Sequence, residues 1–277
     1  MNVLTTIAAV RAERAKLGRL ALVPTMGALH AGHLSLIDLA RRRAPHVAVS
    51  IFVNPTQFGH NEDYNRYPRP LEDDLAKCQS NGVDLVFAPS VEEMYPPKAV
   101  DCIVDLPALS TLLEGKHRPG HFKGVCQVVS KLFNIIRPDL AVFGQKDYQQ
   151  LRILEAMVEA LDMNIEIVPS PTVRDVDGLA MSSRNVHLSV EDREKALAIS
   201  RALFAAQTEF RNGVRQANRL LTTAQKTMLE KHLMIDYVAA VDYQTLKHVD
   251  TITAPTVIAV AARVGKTRLI DNVILEP

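Results

Sequence analysis

The chain has 277 residues and is 47% hydrophobic, enough for one large domain or an ordinary domain with a smaller companion. Its 32 basic and 31 acidic residues leave a formal charge of +1, which offers no electrostatic footprint for non-specific nucleic-acid binding. Cys78, Cys102 and Cys126 are odd in number and form no zinc pattern, which points to a reducing, cytoplasmic setting. The apolar run at residues 7–10 is broken by Arg11, Glu13, Arg14 and Lys16, so it reads as neither a secretory signal nor a membrane span.

Along the chain, residues 20–23 predict a buried strand, with Pro24 ending it because proline cannot donate to a ladder. After Gly32, Leu34, Ile37, Leu39 and Ala40 fall at helical spacing up to the basic turn at Arg41, Arg42 and Arg43. Residues 47–53 form a β-branched strand, and residues 59–70 a polar loop carrying His60, Asn61, Glu62 and Asp63, long enough to serve as a lid. A helix is expected over 71–81, with Glu72, Asp73 and Asp74 complementing its dipole, and a strand over 83–88. Phe122, Val125, Val129, Leu132 and Ile136 mark a helix stopped by Pro138. A strand (139–143), a helix (148–161) and a strand (165–168) follow.

This alternation argues for a parallel sheet with helices on both faces. The texture changes after Pro171: a polar loop (172–185), a long helix capped by Ser189 and running to about Arg211, a second helix after Gly213, and strands at 237–243, 256–264 and 268–275. The expected organisation is therefore a Rossmann-like, doubly wound parallel-sheet domain over residues 1–176 and a smaller α+β C-terminal domain over 177–277.

In an open parallel sheet, ligands sit beyond the carboxyl ends of the strands. Thr25 and Met26, Asn54 and Gln57, and Lys146 and Asp147 follow three such strands. His30 and His33 lie beside a helix start, where two donors suit an anion that gains charge during a reaction. Taken alone, His-x-x-His also permits metal binding or simple capping. Lys146 is a point charge suited to polyphosphate, and Ser182, Ser183 and Arg184 supply two hydroxyls and a guanidinium.

The string Thr25-Met-Gly-Ala-Leu-His-Ala-Gly-His33 resembles the nucleotide-binding motif of the nucleotidylyltransferase superfamily. At its full length it is similar to the pantoate–β-alanine ligase family. Four more blocks match that family in order: Phe52 to Phe58, Arg118 to Val125, Phe143 to Gln150 and Met181 to Asn185. Ala31 departs from the Glu carried by many relatives, at a position expected to point away from the ligand.

The resemblance implies condensation of pantoate with β-alanine, with ATP as a substrate accompanied by Mg2+, through a pantoyl adenylate. It implies catalytic roles for His30, His33, Lys146, Ser182, Ser183 and Arg184. Thr25, Met26, Gly27, Gly32, Gly144, Asp147, Val173 and Met181 complete the ATP site, and Met26, Asn54, Gln57 and Gln150 enclose pantoate. Asp73 and Asp74 are the candidate metal ligands. The family is generally homodimeric, and residues 100–136 carry apolar surface compatible with that. A nucleotidyltransferase acting on a phosphorylated acceptor shares the HxGH motif but leaves Asn54, Gln57 and Gln150 without a role. A non-catalytic RNA-binding module is disfavoured by the near-neutral charge.

Overall fold

The computed structural model describes residues 1–59 and 62–277; His60 and Asn61 of the expected lid lie outside the described residues. The chain forms two compact units. The first comprises Met1–Ser110, Gly115–Gln145 and Gln150–Pro171, and the second Thr111–Glu114, Lys146–Gln149 and Thr172–Pro277.

In chain order the first elements are β1 (Asn2–Leu4), α1 (Ile7–Arg14), β2 (Leu20–Thr25), α2 (Ala31–Arg43), β3 (His46–Ile51), α3 (Leu71–Ser80) and β4 (Leu85–Phe87). Short helices α4 (Val91–Met94), α5 (Pro107–Ser110) and α6 (Leu113–His117) precede α7 (His121–Ile136), β5 (Leu140–Gly144), α8 (Tyr148–Ala160) and β6 (Glu166–Ser170). The six strands lie in the order β1-β4-β3-β2-β5-β6, and every pairing is parallel.

From β2 the chain winds outward through β3 and β4, then returns to the other side of β2 as β5 and β6. Strand order therefore reverses between β2 and β5, where ligands bind in open α/β sheets. These two strands pair only at Ala21↔Leu140 and Leu22↔Ala141, so pairing between them stops before their carboxyl ends. Val23, Val47, Val49, Leu140 and Val142 join Ile37 and Ala40 of α2 and Cys78 of α3 in one apolar cluster, which holds the strand ends rigid.

Two sequence expectations change. Pro24 does not end β2: the strand continues to Thr25, in register with Ser50 and Ile51 of β3. Successive residues face opposite neighbours, with the Leu20 carbonyl accepting from Asp139 N and the Thr25 carbonyl from Phe52 N. The nitrogen of Pro24 therefore faces β5 after that pairing has stopped, and no ladder bond is lost. At the N-terminus, β1 pairs in parallel with β4 and was not anticipated; three mostly exposed residues carry no readable alternation.

The described part of the 59–70 segment is tied down. Phe58 meets Tyr64 and Tyr67 edge-on at 5.4 and 6.0 Å, and the Arg118 guanidinium donates to Glu62 Oε2 at 2.6 Å. Burial pushes the Glu62 carboxyl up, but the hydrogen bond and charge of Arg118 outweigh it and hold it below its ordinary value.

The second unit contains α9 (Val190–Arg211), α10 (Ala217–Leu229) and an antiparallel sheet, β7 (Met234–Asp242), β8 (Thr256–Val264) and β9 (Thr267–Leu275), in that spatial order. Ser189 caps α9 by accepting from Asp192 N. Its core joins Ala196, Ile199 and Leu203 to Leu220, Ala224, Ile258 and Val260. The inserted residue Glu114 is gripped by Arg268 through two bonds of 2.6 and 2.8 Å and by the Tyr237 hydroxyl at 2.9 Å. Among the described residues no helix is long and apolar enough to cross a membrane.

Candidate active site

At the carboxyl end of β2 the chain turns on Gly27 (φ 82°) and Ala28 (φ 51°). Thr25 Oγ1 donates to the Ser50 carbonyl at 2.7 Å and accepts from Gly27 N at 3.1 Å, joining the turn to β3. Only glycine suits position 27, where a Cβ would also sit 2.9 Å from Asp74 Oδ2. Asp74 itself is fully buried, and its two oxygens accept from Ala28 N at 2.8 Å and Leu29 N at 2.7 Å. Its carboxylate thus holds the turn, which accounts for its burial without a metal, whereas its neighbour Asp73 is exposed. Among the described residues no group of three or more His, Cys, Asp or Glu side chains is placed to hold a metal ion.

The turn delivers the chain to α2, whose N-cap is His30. Its Nδ1 accepts from Gly32 N at 3.1 Å, and His33 Nδ1 accepts from His30 N at 3.3 Å, a capping box built from two imidazoles. The ring centroids are 4.1 Å apart. A nitrogen that accepts a backbone N–H is itself unprotonated, so each neutral ring carries its hydrogen on Nε2. The cap fixes the tautomer, and the tautomer makes each Nε2 a donor at the positive end of a helix.

Beyond β3, Asn54 is 1% exposed and almost wholly engaged. Its Nδ2 donates to Gln57 Oε1 and to the Gly124 carbonyl, both at 3.1 Å, and its Oδ1 accepts from the Thr56 and Tyr95 hydroxyls. With Gln57 Oε1 held this way, Nε2 turns toward Met26 Sδ, 3.2 Å away. A thioether is a weak acceptor, so this N–H keeps most of its donor capacity.

Gly124 makes the arrangement possible, since a Cβ there would lie 2.2 Å from the Thr56 carbonyl oxygen. His121 completes the support. Arg118 donates to its Nε2 at 3.0 Å, which leaves Nδ1–H to donate to the Gln57 carbonyl at 2.8 Å. Gly144 ends β5, and Gln150 is half-buried on α8.

In the second unit, Lys146 and the exposed Asp147 lie on a short 3-10 turn, Gln145–Asp147. The Lys146 carbonyl accepts from Asn272 Nδ2 at 2.9 Å. Residues 173–181 form a hairpin: Arg174 bridges Ala180, Met181 N donates to the Val173 carbonyl, and Gly178 takes the left-handed turn position (φ 94°). It leads directly into Ser182, whose Oγ accepts from Arg184 N and caps the 3-10 turn Ser183–His187.

The family model described as pantoate-beta-alanine ligase matches residues 2–274. The chain belongs to the pantoate-β-alanine ligase family. Its similarity to pantothenate synthetases is 48% identity over 281 residues for that of Acetivibrio thermocellus, covering 100% of both chains. For that of Thermobifida fusca it is 54% over 274 residues, covering 95% of this chain and 92% of the relative. The pantothenate synthetase structure from Thermus thermophilus superposes with a TM-score of 0.95 at 46% identity, each chain fully covered. A pantoate-β-alanine ligase from Francisella tularensis, complexed with β-γ ATP and β-alanine, gives 0.81 at 34% identity, covering 99% and 97%.

Membership of the ligase family matches the five motifs read from the sequence. The residues that hold those motifs in place were missed. In the sequence Asp74 shows only its charge, not the two amides it receives. The half-buried Arg174 and the buried Asp271 form a bidentate pair, with bonds of 2.6 and 2.9 Å, that no local pattern announces. The available signal was Asp271-Asn272, two consecutive polar residues set between the apolar pairs Leu269-Ile270 and Val273-Ile274 of β9.

Proposed function

We propose that the protein joins pantoate to β-alanine with ATP, forming pantothenate, AMP and pyrophosphate. The observation that carries this reading is the imidazole capping box, two tautomer-fixed donors at the switch point of the sheet, followed in the turn after β3 by the Gln57 amide. In the first step a pantoate carboxylate oxygen attacks the α-phosphorus, and the bond to the bridging oxygen of pyrophosphate breaks. Charge grows on the α-phosphate, where His30 and His33 donate, and on the departing pyrophosphate, where Lys146, Ser182, Ser183 and Arg184 act.

Thr25, Gly27, Gly32 and Gly144 let the nucleotide approach the backbone. Asp147, with Val173 and Met181, serves the ribose and adenine. Met26 meets the geminal methyls of pantoate, and Gln57 and Gln150 bind its polar groups, with Asn54 orienting Gln57. In the second step the β-alanine amine attacks the anhydride carbonyl, loses a proton and expels AMP. No covalent enzyme intermediate is needed, so positioning and electrostatics carry the catalysis.

Because the Asp74 oxygens are held by amides, Asp73 would be the carboxylate left to hold a Mg2+ brought in with the triphosphate, an ion that would supply partial neutralisation of the phosphate charge. The exposed Val100 and Ile103 support a homodimer formed through the first unit, and three free cysteines support a cytoplasmic enzyme. The test is product analysis. Pyrophosphate should appear with ATP and pantoate, and sustained AMP formation should require β-alanine as well. Formation of ADP and phosphate instead would overturn the adenylate chemistry.

A further inference from the structure

The ATP residues of the second unit lie on two separate segments, and one strand holds both. Asp271, 4% exposed, accepts both arms of the Arg174 guanidinium, and Arg174 Nη1 also donates to the Gly178 carbonyl at 3.2 Å. The Arg174 guanidinium carbon stands 5.0 Å from the centre of the Phe204 ring. This fork-on-fork pairing fixes direction as well as distance. It anchors the hairpin whose far end is Met181, immediately before Ser182. The next residue of β9, Asn272, is 6% exposed and donates to the backbone carbonyl of Lys146. Asp271 Oδ1 also accepts from Asn272 N at 2.8 Å, which couples the two anchors.

We propose that Asp271 and Asn272 of β9, with Arg174, are positioning residues that set the spacing between Lys146 and the Ser182–Arg184 segment to match a triphosphate. They touch no substrate. Their effect is to present cation and hydroxyls together, so that little ordering remains when the β- and γ-phosphates arrive. This inference rests on the ligase reading for the roles of Lys146 and Ser182–Arg184.

A device that spaces the groups serving the β- and γ-phosphates matters more for ATP than for AMP, whose contacts at Val173 and Met181 lie on the same hairpin and take a smaller share of the loss, whereas a merely structural role affects both nucleotides alike. The experiment compares ATP and AMP binding by calorimetry in wild type, Asn272→Ala and Asp271→Asn, alongside pantoate-dependent pyrophosphate exchange. The expected result is ATP affinity weakened about tenfold, on the scale of one lost hydrogen bond, with AMP affinity reduced by no more than about threefold and the KM for pantoate within twofold. Should Asp271→Asn fail to fold, Arg174→Lys keeps the charge, loses the fork and should give the same pattern.

An unchanged ATP-to-AMP affinity ratio in the folded variants, or an equal loss for both nucleotides, would overturn the proposal. Wild-type protein that binds ATP but shows no pantoate-dependent exchange would instead count against the ligase reading.

Discussion

In the proposed mechanism His30 has two jobs on two nitrogens, and substitutions can separate them. Nδ1 caps α2 by accepting from Gly32 N at 3.1 Å, while Nε2 carries the hydrogen that the proposal assigns to the α-phosphate. His30→Ala removes both. The lost cap should cost about 1 kcal/mol, or roughly 2–4 °C in melting temperature for a unit of this size. The lost donor should lower single-turnover adenylation by about 10²- to 10³-fold. His30→Asn places an amide oxygen where Nδ1 sat and is among the best N-caps, but it is too short to reach the Nε2 position. It should melt close to wild type and react as slowly as His30→Ala. Thermal unfolding with rapid-quench measurement of pyrophosphate gives both readings. If His30→Asn melted with His30→Ala, or adenylated at the wild-type rate, the division of labour between the two nitrogens would be wrong.

Asp74→Asn turns an acceptor into a donor facing the amide of Ala28 or Leu29 and should destabilise the protein by about 1–3 kcal/mol in urea titration; a smaller change would show that the turn does not depend on that carboxylate. Gly124→Ala drives a methyl into the Thr56 carbonyl, so it should lower stability by about 1–3 kcal/mol or more and raise the KM for pantoate above that for ATP, since Gln57 moves with the turn. The folded Glu62 carboxyl lies below its unfolded value, so its pairing with Arg118 stabilises fully above about pH 4–5 and is lost as pH falls through the depressed folded value. Glu62→Gln should therefore flatten the stability profile on that acidic side, and an unchanged profile would exclude the pairing as a contributor. Burial pushes the thiols of Cys78 and Cys126 up to about 11 and about 12, so neither should react with a disulfide reagent at pH 8 until the protein unfolds; mass spectrometry of the labelled native protein is the check.

The sheet was legible because its central strands are buried on both faces and read as continuous apolar runs. The candidate site's chemical groups stand out because strand ends are marked by abrupt changes to small and polar residues, as at Thr25 and Asn54. What escaped were relations between distant positions. Pro24 looks like a strand terminator until the early end of the β2–β5 ladder shows that its nitrogen owes no bond. Asn54 reads as a ligand group in isolation, yet nearly all its polar capacity goes to Gln57, Thr56, Tyr95 and Gly124. Arg174 and Asp271 are 97 positions apart, and no local periodicity encodes such a pairing.

The grip on Glu114 bears on how the chain is made. Tyr237 and Arg268 lie 123 and 154 positions further along the chain, so Glu114 emerges from the ribosome far earlier, between stretches that fold into the other unit, while Asp236 pairs with Arg268 from β7. The C-terminal unit is therefore not a separable module. A fragment starting at Thr172 would leave Arg268 with Asp236 alone and the Tyr237 hydroxyl without its carboxylate acceptor. During synthesis Glu114 must wait, flanked by chain already free to fold, until the last strand arrives to receive it.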